Sequence, residues 1–427
     1  MRQTTEHRRQ ITEDRQQTTA DRAQNTEYRA QSTEESTQSE ARSAQSKIQN
    51  RMDAPLIAVL GAGQLGRMLA LAGYPLGLRF RFLDPAPQSP AGQLAELIVA
   101  AYDDVAGLER LISGATVATY EFENVPARST EFLSQRLPVY PPPPALDVAQ
   151  DRLAEKTCFR ELGIPTPAFT PVDSWDGLLD AVGRIGLPAV LKTRRFGYDG
   201  KGQWALRRAD DLAPAWAALG GAPLILEQFV PFDRELSILA ARSTAGQVAF
   251  YPLVENHHHE GILRMSIAPA PMLDAQTQSQ AQEYAWRVLE RLDYAGVLAI
   301  EFFQRGAQLL ANEMAPRVHN SGHWTIEGAR ASQFENHLRA ILGWPLGDTS
   351  AIGHCAMLNI IGDLPDPAIA FGVPGARLHL YGKSPRPGRK LGHITLVETS
   401  EADLRARLSA LRSQMPSLIS SLSHAMM

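Results

Sequence analysis

Two short apolar runs near residue 300 each carry a glutamate, and that pairing restricts the fold of this chain more than any other feature. Val297-Leu298-Ala299-Ile300-Glu301-Phe302-Phe303 and Leu309-Leu310-Ala311-Asn312-Glu313 flank a turn around Gly306, the pattern of a β-hairpin. With the turn centred there, Glu301 and Glu313 fall opposite or nearly opposite each other on one face. Like charges across a ladder cost stability unless something positive sits between them. Two carboxylates plus phosphate oxygens form the usual shell of Mg²⁺, so a metal site is expected on this hairpin. A solvent-facing hairpin with ordinary acids is the alternative, and the apolar flanks count against it.

Upstream, Leu191 to Gln203 sets Gly197, Gly200 and Gly202 among cations, directly after the apolar lead-in Pro188-Ala189-Val190-Leu191. Glycine lets backbone N–H groups approach an anion without a Cβ in the way, and lysine adds point charge at the phosphate oxygens. The lead-in reads as a strand, so the loop is expected to join two strands as a flap, which makes the chain a candidate ATP user. It is no Walker A, because Gly202 is followed by Gln203 and Trp204. A tight basic hairpin without a ligand would fit the same residues.

Other segments add chemistry around these two. Pro223 to Val230 reads as a buried strand running into polar residues, where Glu227 could reach an adenine amino group or a ribose, with Glu235 following. Both could equally be solvated strand-end acids. After the acidic hairpin come Arg317, His319, Asn320 and Ser321, which suit an anion and its proton traffic; any one of them could be structural. Tyr381 to His393 clusters basic residues on a Pro/Gly-rich hairpin, either a second phosphate site or a solvated turn. His257-His258-His259 has no Cys or His at ligand spacing, which argues against zinc. Leu404, Leu408 and Leu411 fall on one helical face and are expected to pack.

The region from Leu56 reads strand, Gly-rich turn, helix. Leu56 to Leu60 leads into Gly61-Ala62-Gly63-Gln64-Leu65-Gly66, and a second strand from Arg79 to Leu83 ends in Asp84. This fits G-x-G-x-x-G with an acid where a dinucleotide fold holds ribose, although the same turn serves any phosphate or mere close packing. The small α/β domain is expected to end at Pro141 to Pro144, since four prolines cannot continue a helix or a central strand.

At 427 residues and 44% hydrophobic content the chain can build two or three cores. A net charge of −4 argues against nonspecific nucleic-acid binding, and no apolar run approaches the ~18 residues of a membrane span. Cys158 and Cys355 are too few for a disulfide framework, so a reducing cytoplasm is expected. In the first fifty residues Thr5-Glu6, Thr12-Glu13, Thr19-Ala20, Thr26-Glu27 and Thr33-Glu34 recur every seven positions, but Thr, Glu, Arg and Gln stand where a coiled coil needs apolar residues. Disorder is expected there. An alternative is that Met52 is the true start.

The strings GAGQLGRM (61–68), YEFENV (120–125), AQDRLAEK (149–156), GYDGKGQ (197–203), EQFV (227–230), NEMAPRVHNSGHWT (312–325) and GKSPRPGRKLGH (382–393) resemble the ATP-grasp enzymes. More narrowly, they resemble the 5-(carboxyamino)imidazole ribonucleotide synthetase family of purine biosynthesis. The resemblance covers about residues 55–396 and leaves the N-terminal repeat without a counterpart. It implies a mixed α/β and α+β fold. After a polar repeat at 1–52 would come an N-terminal biotin-carboxylase-like α/β domain at 53–148, an ATP-grasp domain at 149–350, and a small β-rich domain with a terminal helix at 351–427. A homodimer, no nucleic-acid partner and no membrane are implied as well.

The activity implied is an ATP-dependent C–N ligase that carboxylates aminoimidazole ribonucleotide with bicarbonate through carboxyphosphate. ATP would be held by Arg152, Lys192, the flap residues Gly197, Tyr198, Asp199, Gly200, Lys201, Gly202 and Gln203, the strand end Glu227, Gln228, Phe229 and Val230, and by Glu235, His258, Asn312 and Glu313. Mg²⁺, or Mn²⁺ in its place, would sit on Glu301 and Glu313 with Asn312 beside them. Lys192, Arg317 and His319 are the implied catalytic residues, His319 as proton carrier. The ribonucleotide would meet Gln64, Asn320, Ser321, Lys383, Arg389 and Lys390, with Tyr198, Asp199 and Lys201 closing over it.

Overall fold

The computed structural model describes residues 54–197 and 200–415; the expectations for the N-terminal repeat and for Tyr198 and Asp199 lie outside the described residues. The first layer alternates strand and helix as the sequence pattern requires: β1 (Leu56–Leu60), α1 (Gln64–Gly73), β2 (Arg79–Asp84), β3 (Glu96–Val99), α2 (Val105–Ile112) and β4 (Val117–Tyr120). The strands form a parallel sheet in the order β3-β2-β1-β4. Every residue of β1 is buried, which is why it reads as an unbroken apolar run: in a parallel sheet both faces are covered.

Two helices follow, α3 (Ala127–Ser134) and α4 (Pro143–Gln150). Here the sequence expectation is corrected. Pro143 and Pro144 do not terminate structure; they open α4, with Pro142 as its N-cap residue. N–H groups in the first helical turn have no intrahelical acceptor, so proline forfeits no helix bond there, and its fixed φ suits the position.

Next come α5 (Arg152–Glu161), β5 (Phe169–Val172), α6 (Trp175–Ile185), β6 (Ala189–Thr193), β7 (Gln203–Leu206), α7 (Leu212–Leu219) and β8 (Leu224–Gln228). These strands build an antiparallel sheet, β5-β8-β6-β7, with its own core of Leu178, Leu191, Leu206, Leu224 and neighbours. Asp151 caps α5 by accepting from the N–H of Leu153 at 2.9 Å, which fixes where that helix begins.

The rest of the chain winds around one large antiparallel sheet. Its elements are β9 (Arg234–Arg242), β10 (Val248–Phe250), β11 (Val254–His259), β12 (Ile262–Ala268), α8 (Ala275–Arg291), β13 (Gly296–Arg305), β14 (Gln308–Ala315), α9 (Thr325–Gly328), α10 (Gln333–Ile341), β15 (His354–Ile361), α11 (Pro367–Phe371), β16 (Arg377–Leu380), β17 (Lys390–Glu398) and α12 (Glu401–Gln414). Among the described residues the order is β14-β13-β9-β11-β12-β15-β17-β16, with β10 on β9. The segment expected as a separate β-rich domain from residue 351 therefore adds its strands to the existing sheet, β15 pairing β12 from Met265↔Leu358 to Ala268↔Cys355. Leu404, Leu408 and Leu411 of α12 pack onto that extension.

Candidate active site

The acidic hairpin folds with Glu301 directly opposite Glu313, and it does so through a β-bulge. From the turn outward the register runs Arg305↔Gln308 to Phe302↔Ala311, which would continue as Glu301↔Asn312. The ladder instead skips Asn312 and pairs Glu301 with Glu313. A bulge puts two residues against one and re-aims their side chains. As a result Glu301, Asn312 and Glu313 all line the same cavity, of about 520 Å³.

Burial and the charge of Glu313 raise the pKa of Glu301. Burial works against Glu313 too, but Arg152, 3.1 Å away, and Lys192 hold its carboxyl low. One acid of the pair thus keeps its proton more readily than the other. Asn312 Oδ1 is buried without a hydrogen-bond partner. Two facing carboxylates and an unclaimed amide oxygen form an all-oxygen set, which fits a hard divalent cation.

The cavity extends from these acids to the β6-β8 sheet. There Glu227, 2% exposed, receives Lys192 Nζ at 3.0 Å and Lys156 Nζ at 3.2 Å on one oxygen. Burial alone would raise its pKa, but the two ammonium groups overrule that and hold it at about 2. Its other oxygen, Oε1, is buried without a partner. His258 bonds Glu235 at the opposite wall. Burial disfavours its imidazolium, yet Glu235 and Glu301 outweigh that and raise its pKa. Of the residues assigned to the nucleotide, Arg152, Lys192, Gly200, Lys201, Gln203, Glu227 to Val230, Glu235, His258, Asn312 and Glu313 line this cavity.

Gly197 and Gly202 do not line it. The flap joins β6 to β7 as expected, with Lys192 paired to Gln203. Gly202 serves the hairpin instead: its φ is +68°, and a Cβ there would lie 2.5 Å from Thr193 Oγ1. Gly197 borders a second cavity.

That second cavity, of about 790 Å³, shares Glu301 and Glu313 with the first. Gln64, Arg317, Lys383 and Arg389 line it, and Arg152, Lys201, His319, Asn320 and Lys390 border both cavities. Lys383 reaches across to Gln64 at the start of α1, so the C-terminal basic hairpin meets the N-terminal turn. Asn320 is held by a reciprocal amide pair with Asn359, at 3.0 and 2.7 Å.

Three of the assigned residues have surroundings that the sequence did not foretell. Ser321 is fully buried, lines neither cavity, and its hydroxyl faces His319 Nδ1 at 2.8 Å, so it supports the ring. Arg317 is not a free oxyanion clamp: its Nε pairs with Glu123 and its Nη1 donates to the Val318 carbonyl at 3.0 Å. His319 is held at about 3 by burial and by Arg317 and Lys390, so it is uncharged near neutrality. Its Nδ1 accepts from the N–H of Ser321 at 3.3 Å, which leaves the proton on Nε2, 3.6 Å from Glu301. In that form the ring presents a hydrogen-bond donor toward Glu301.

The Gly-rich turn also departs from the dinucleotide pattern. Glu121 fills it: Oε1 accepts from the N–H of Gly63 at 2.6 Å and Oε2 from that of Gly66 at 2.8 Å. Asp84 accepts from the N–H of Ala62 and from the Tyr102 hydroxyl, both at 3.0 Å, instead of presenting itself to a ribose. The N–H groups that would cradle a pyrophosphate are already occupied.

Sequence reasoning assigned no role to Glu121, Lys156 or Glu155. Lys156 had a signal, since it follows Arg152 by four residues and shares its face of α5. Glu155, also on α5, accepts from the N–H of Met314 at 2.6 Å, and burial raises it to about 8. Glu121 reaches a turn 58 residues away in sequence and left no local signal.

Residues 157–334 match the model of the ATP-grasp domain, residues 55–150 that of the ribonucleotide synthetase preATP-grasp domain, and residues 355–407 that of the phosphoribosylaminoimidazole carboxylase C-terminal domain. The N5-carboxyaminoimidazole ribonucleotide synthase of Pseudomonas aeruginosa is 54% identical over 355 residues, 83% of this chain and 97% of that one. The crystal structure of N5-carboxyaminoimidazole ribonucleotide synthetase from Thermus thermophilus matches with a TM-score of 0.81 at 58% identity, covering 84% of this chain and 98% of the other. That of N5-carboxyaminoimidazole synthase from Aspergillus clavatus, in complex with ADP and 5-aminoimidazole ribonucleotide, matches at 0.79 with 29% identity, covering 87% and 99%.

Proposed function

We propose the reaction that follows from one premise: this chain belongs to the N5-carboxyaminoimidazole ribonucleotide synthase family of ATP-grasp proteins. It is an ATP-dependent ligase that carboxylates the exocyclic amine of 5-aminoimidazole ribonucleotide with bicarbonate in purine biosynthesis. The products are N5-carboxyaminoimidazole ribonucleotide, ADP and phosphate. The observation that carries this reading is the meeting of two cavities at Glu301 and Glu313. One is walled by Lys192 and Glu227, the other by Lys383 and Arg389, and Lys390 borders both.

In this arrangement ATP occupies the smaller cavity. A bicarbonate oxygen bonds to the γ-phosphorus as the bond to the β,γ-bridging oxygen breaks, giving carboxyphosphate and ADP. Carboxyphosphate then releases CO₂ as its carbon–oxygen bond to the phosphate breaks and the carboxyl proton passes to the departing phosphate, and the amine nitrogen bonds to the CO₂ carbon as it loses a proton. A bound Mg²⁺, or Mn²⁺, supplies charge neutralisation at the transferring phosphoryl group, with Glu301, Glu313 and Asn312 Oδ1 as its oxygen donors. Lys192 adds cationic charge at the same phosphates. His319 offers Nε2–H to an oxygen of the reacting centre. Arg317 orients the bicarbonate unit from the nitrogen edge that Glu123 and Val318 leave open. Lys383, Arg389 and Lys390 hold the ribonucleotide phosphate, and the flap excludes water from a short-lived acyl phosphate.

ADP release by the full chain should require bicarbonate and aminoimidazole ribonucleotide together. Turnover with an amino acid replacing the ribonucleotide would refute the substrate assignment. The homodimer implied by the family resemblance is proposed with it, and a single species of monomer mass in sedimentation velocity would refute that.

A further inference from the structure

We propose that Gln333 is a positioning residue for this reaction, holding His319 in the orientation that points its Nε2–H at the junction of the two cavities. The proposal rests on the function proposed above. Gln333 is the first residue of α10, fully buried, and lines neither cavity. Its Oε1 accepts the N–H of His319 at 2.9 Å, while its Nε2 donates to the carbonyl of His319 at 2.7 Å and to Nδ1 of His323 at 3.2 Å. One side-chain amide therefore pairs with both backbone groups of a single residue and uses both of its N–H donors.

The surrounding structure is built to admit that amide. The N–H of Gln333 donates to Thr325 Oγ1 at 2.9 Å, and that hydroxyl donates to the Gly322 carbonyl at 2.6 Å, tying the start of α10 to the turn that follows His319. Gly322 has no room for a larger residue: a Cβ there would lie 2.5 Å from Gln333 Oε1. On the far side Asn359 pins Asn320, so two adjacent residues that border both cavities, His319 and Asn320, are gripped from two different elements. With its peptide fixed and Nδ1 engaged by Ser321, the His319 ring has one direction left for Nε2, toward Glu301 at 3.6 Å.

The consequence concerns coupling. Carboxyphosphate forms against one cavity and is consumed from the other, so a loosened His319 leaves it to hydrolysis. A displacement of about 1 Å at a reacting centre can cost about 100-fold in rate.

The test replaces Gln333 with methionine, which keeps side-chain length and removes all three hydrogen bonds, and measures ADP and carboxylated ribonucleotide separately. Formation of the carboxylated product should fall at least about tenfold in kcat with the KM for ATP within about twofold, and the ratio of ADP to product should rise above that of the wild type. In a His319→Ala background the same change should add little, because Gln333 acts through that residue. Should Gln333→Met lose its circular dichroism spectrum, Gln333→Asn, which keeps every polar group one methylene short, carries the same expectation. An unchanged ADP-to-product ratio in a folded variant, or a full independent loss in the His319→Ala background, overturns the proposal. A wild-type chain that makes no carboxylated product overturns the functional reading itself, and this proposal with it.

Discussion

Replacing Glu227 with glutamine is expected to cost about 3–5 kcal/mol of folding stability, the usual consequence of removing one partner from a buried ion pair. Glu227 Oε2 serves two ammonium groups, Lys192 at 3.0 Å and Lys156 at 3.2 Å, and the Lys156 side chain has no exposure at all. These cations overcome burial and lower the carboxyl from an ordinary 4.5 to about 2. At about 1.36 kcal/mol for each tenfold change in proton affinity, that depression is worth about 3 kcal/mol. Because the folded pKa is the lower one, the stabilisation is complete above pH 4.5 and disappears as the pH falls toward 2. Glutamine keeps the shape but leaves both ammonium groups without an anion.

Urea unfolding followed by far-UV circular dichroism, at pH ~7 and without nucleotide, measures the effect. Glu227→Gln, Lys156→Met and the double variant should be compared with the wild type. In the double variant one orphaned charge is gone, so its loss should fall short of the sum of the singles by at least about 1 kcal/mol. A loss below about 1 kcal/mol for Glu227→Gln, or strictly additive behaviour, would refute the reasoning.

Three further outcomes follow from the same geometry. Glu313→Gln should weaken Mn²⁺ binding at least about tenfold, read directly from the electron paramagnetic resonance signal of the free ion, and an unchanged titration would remove Glu313 from the metal site. His337, 1% exposed, is held at about 4 by burial while its Nδ1 accepts from the N–H of Val297 at 3.1 Å. The unfolded chain therefore takes up that proton first, and stability falls as the pH drops below 6.5 toward 4. His337→Asn should remove about 2 kcal/mol of the decline in urea stability between neutral pH and ~5, and equal declines in both proteins would contradict this. Gly202→Ala, forced to a φ of +68° against Thr193, should distort the flap hairpin and weaken ATP binding at least about tenfold in calorimetry while leaving the thermal midpoint within about 2 °C. Wild-type affinity in that variant would show that the flap does not need the turn.

Periodicity and turn chemistry decided much of this protein in advance. The unbroken apolar run of β1, the lead-in to the flap, and the two runs flanking Gly306 each state their local structure, because strand burial and glycine's freedom at positive φ act over a few residues. The candidate nucleotide residues were legible for the same reason: Lys192, Gly200, Lys201 and Glu227 lie at the ends of strands that declare themselves. The prolines at 141–144 were misread because the rule against proline in a helix lapses in its first turn.

Tertiary structure decided what depends on residues far apart. A regular ladder would have set Glu301 against Asn312, and the bulge at that point put two acids and an amide at one wall. Glu121 closing a turn 58 residues upstream turned an apparent pyrophosphate cradle into an internal carboxylate site. Gln333 gripping the peptide of His319, and strands β15 to β17 extending a sheet begun at residue 234, belong to the same class. Local sequence fixes which conformations a segment prefers, since those energies arise between near neighbours. Which buried polar group meets which partner depends on how the segments pack, and only the assembled sheets bring those groups within hydrogen-bond range.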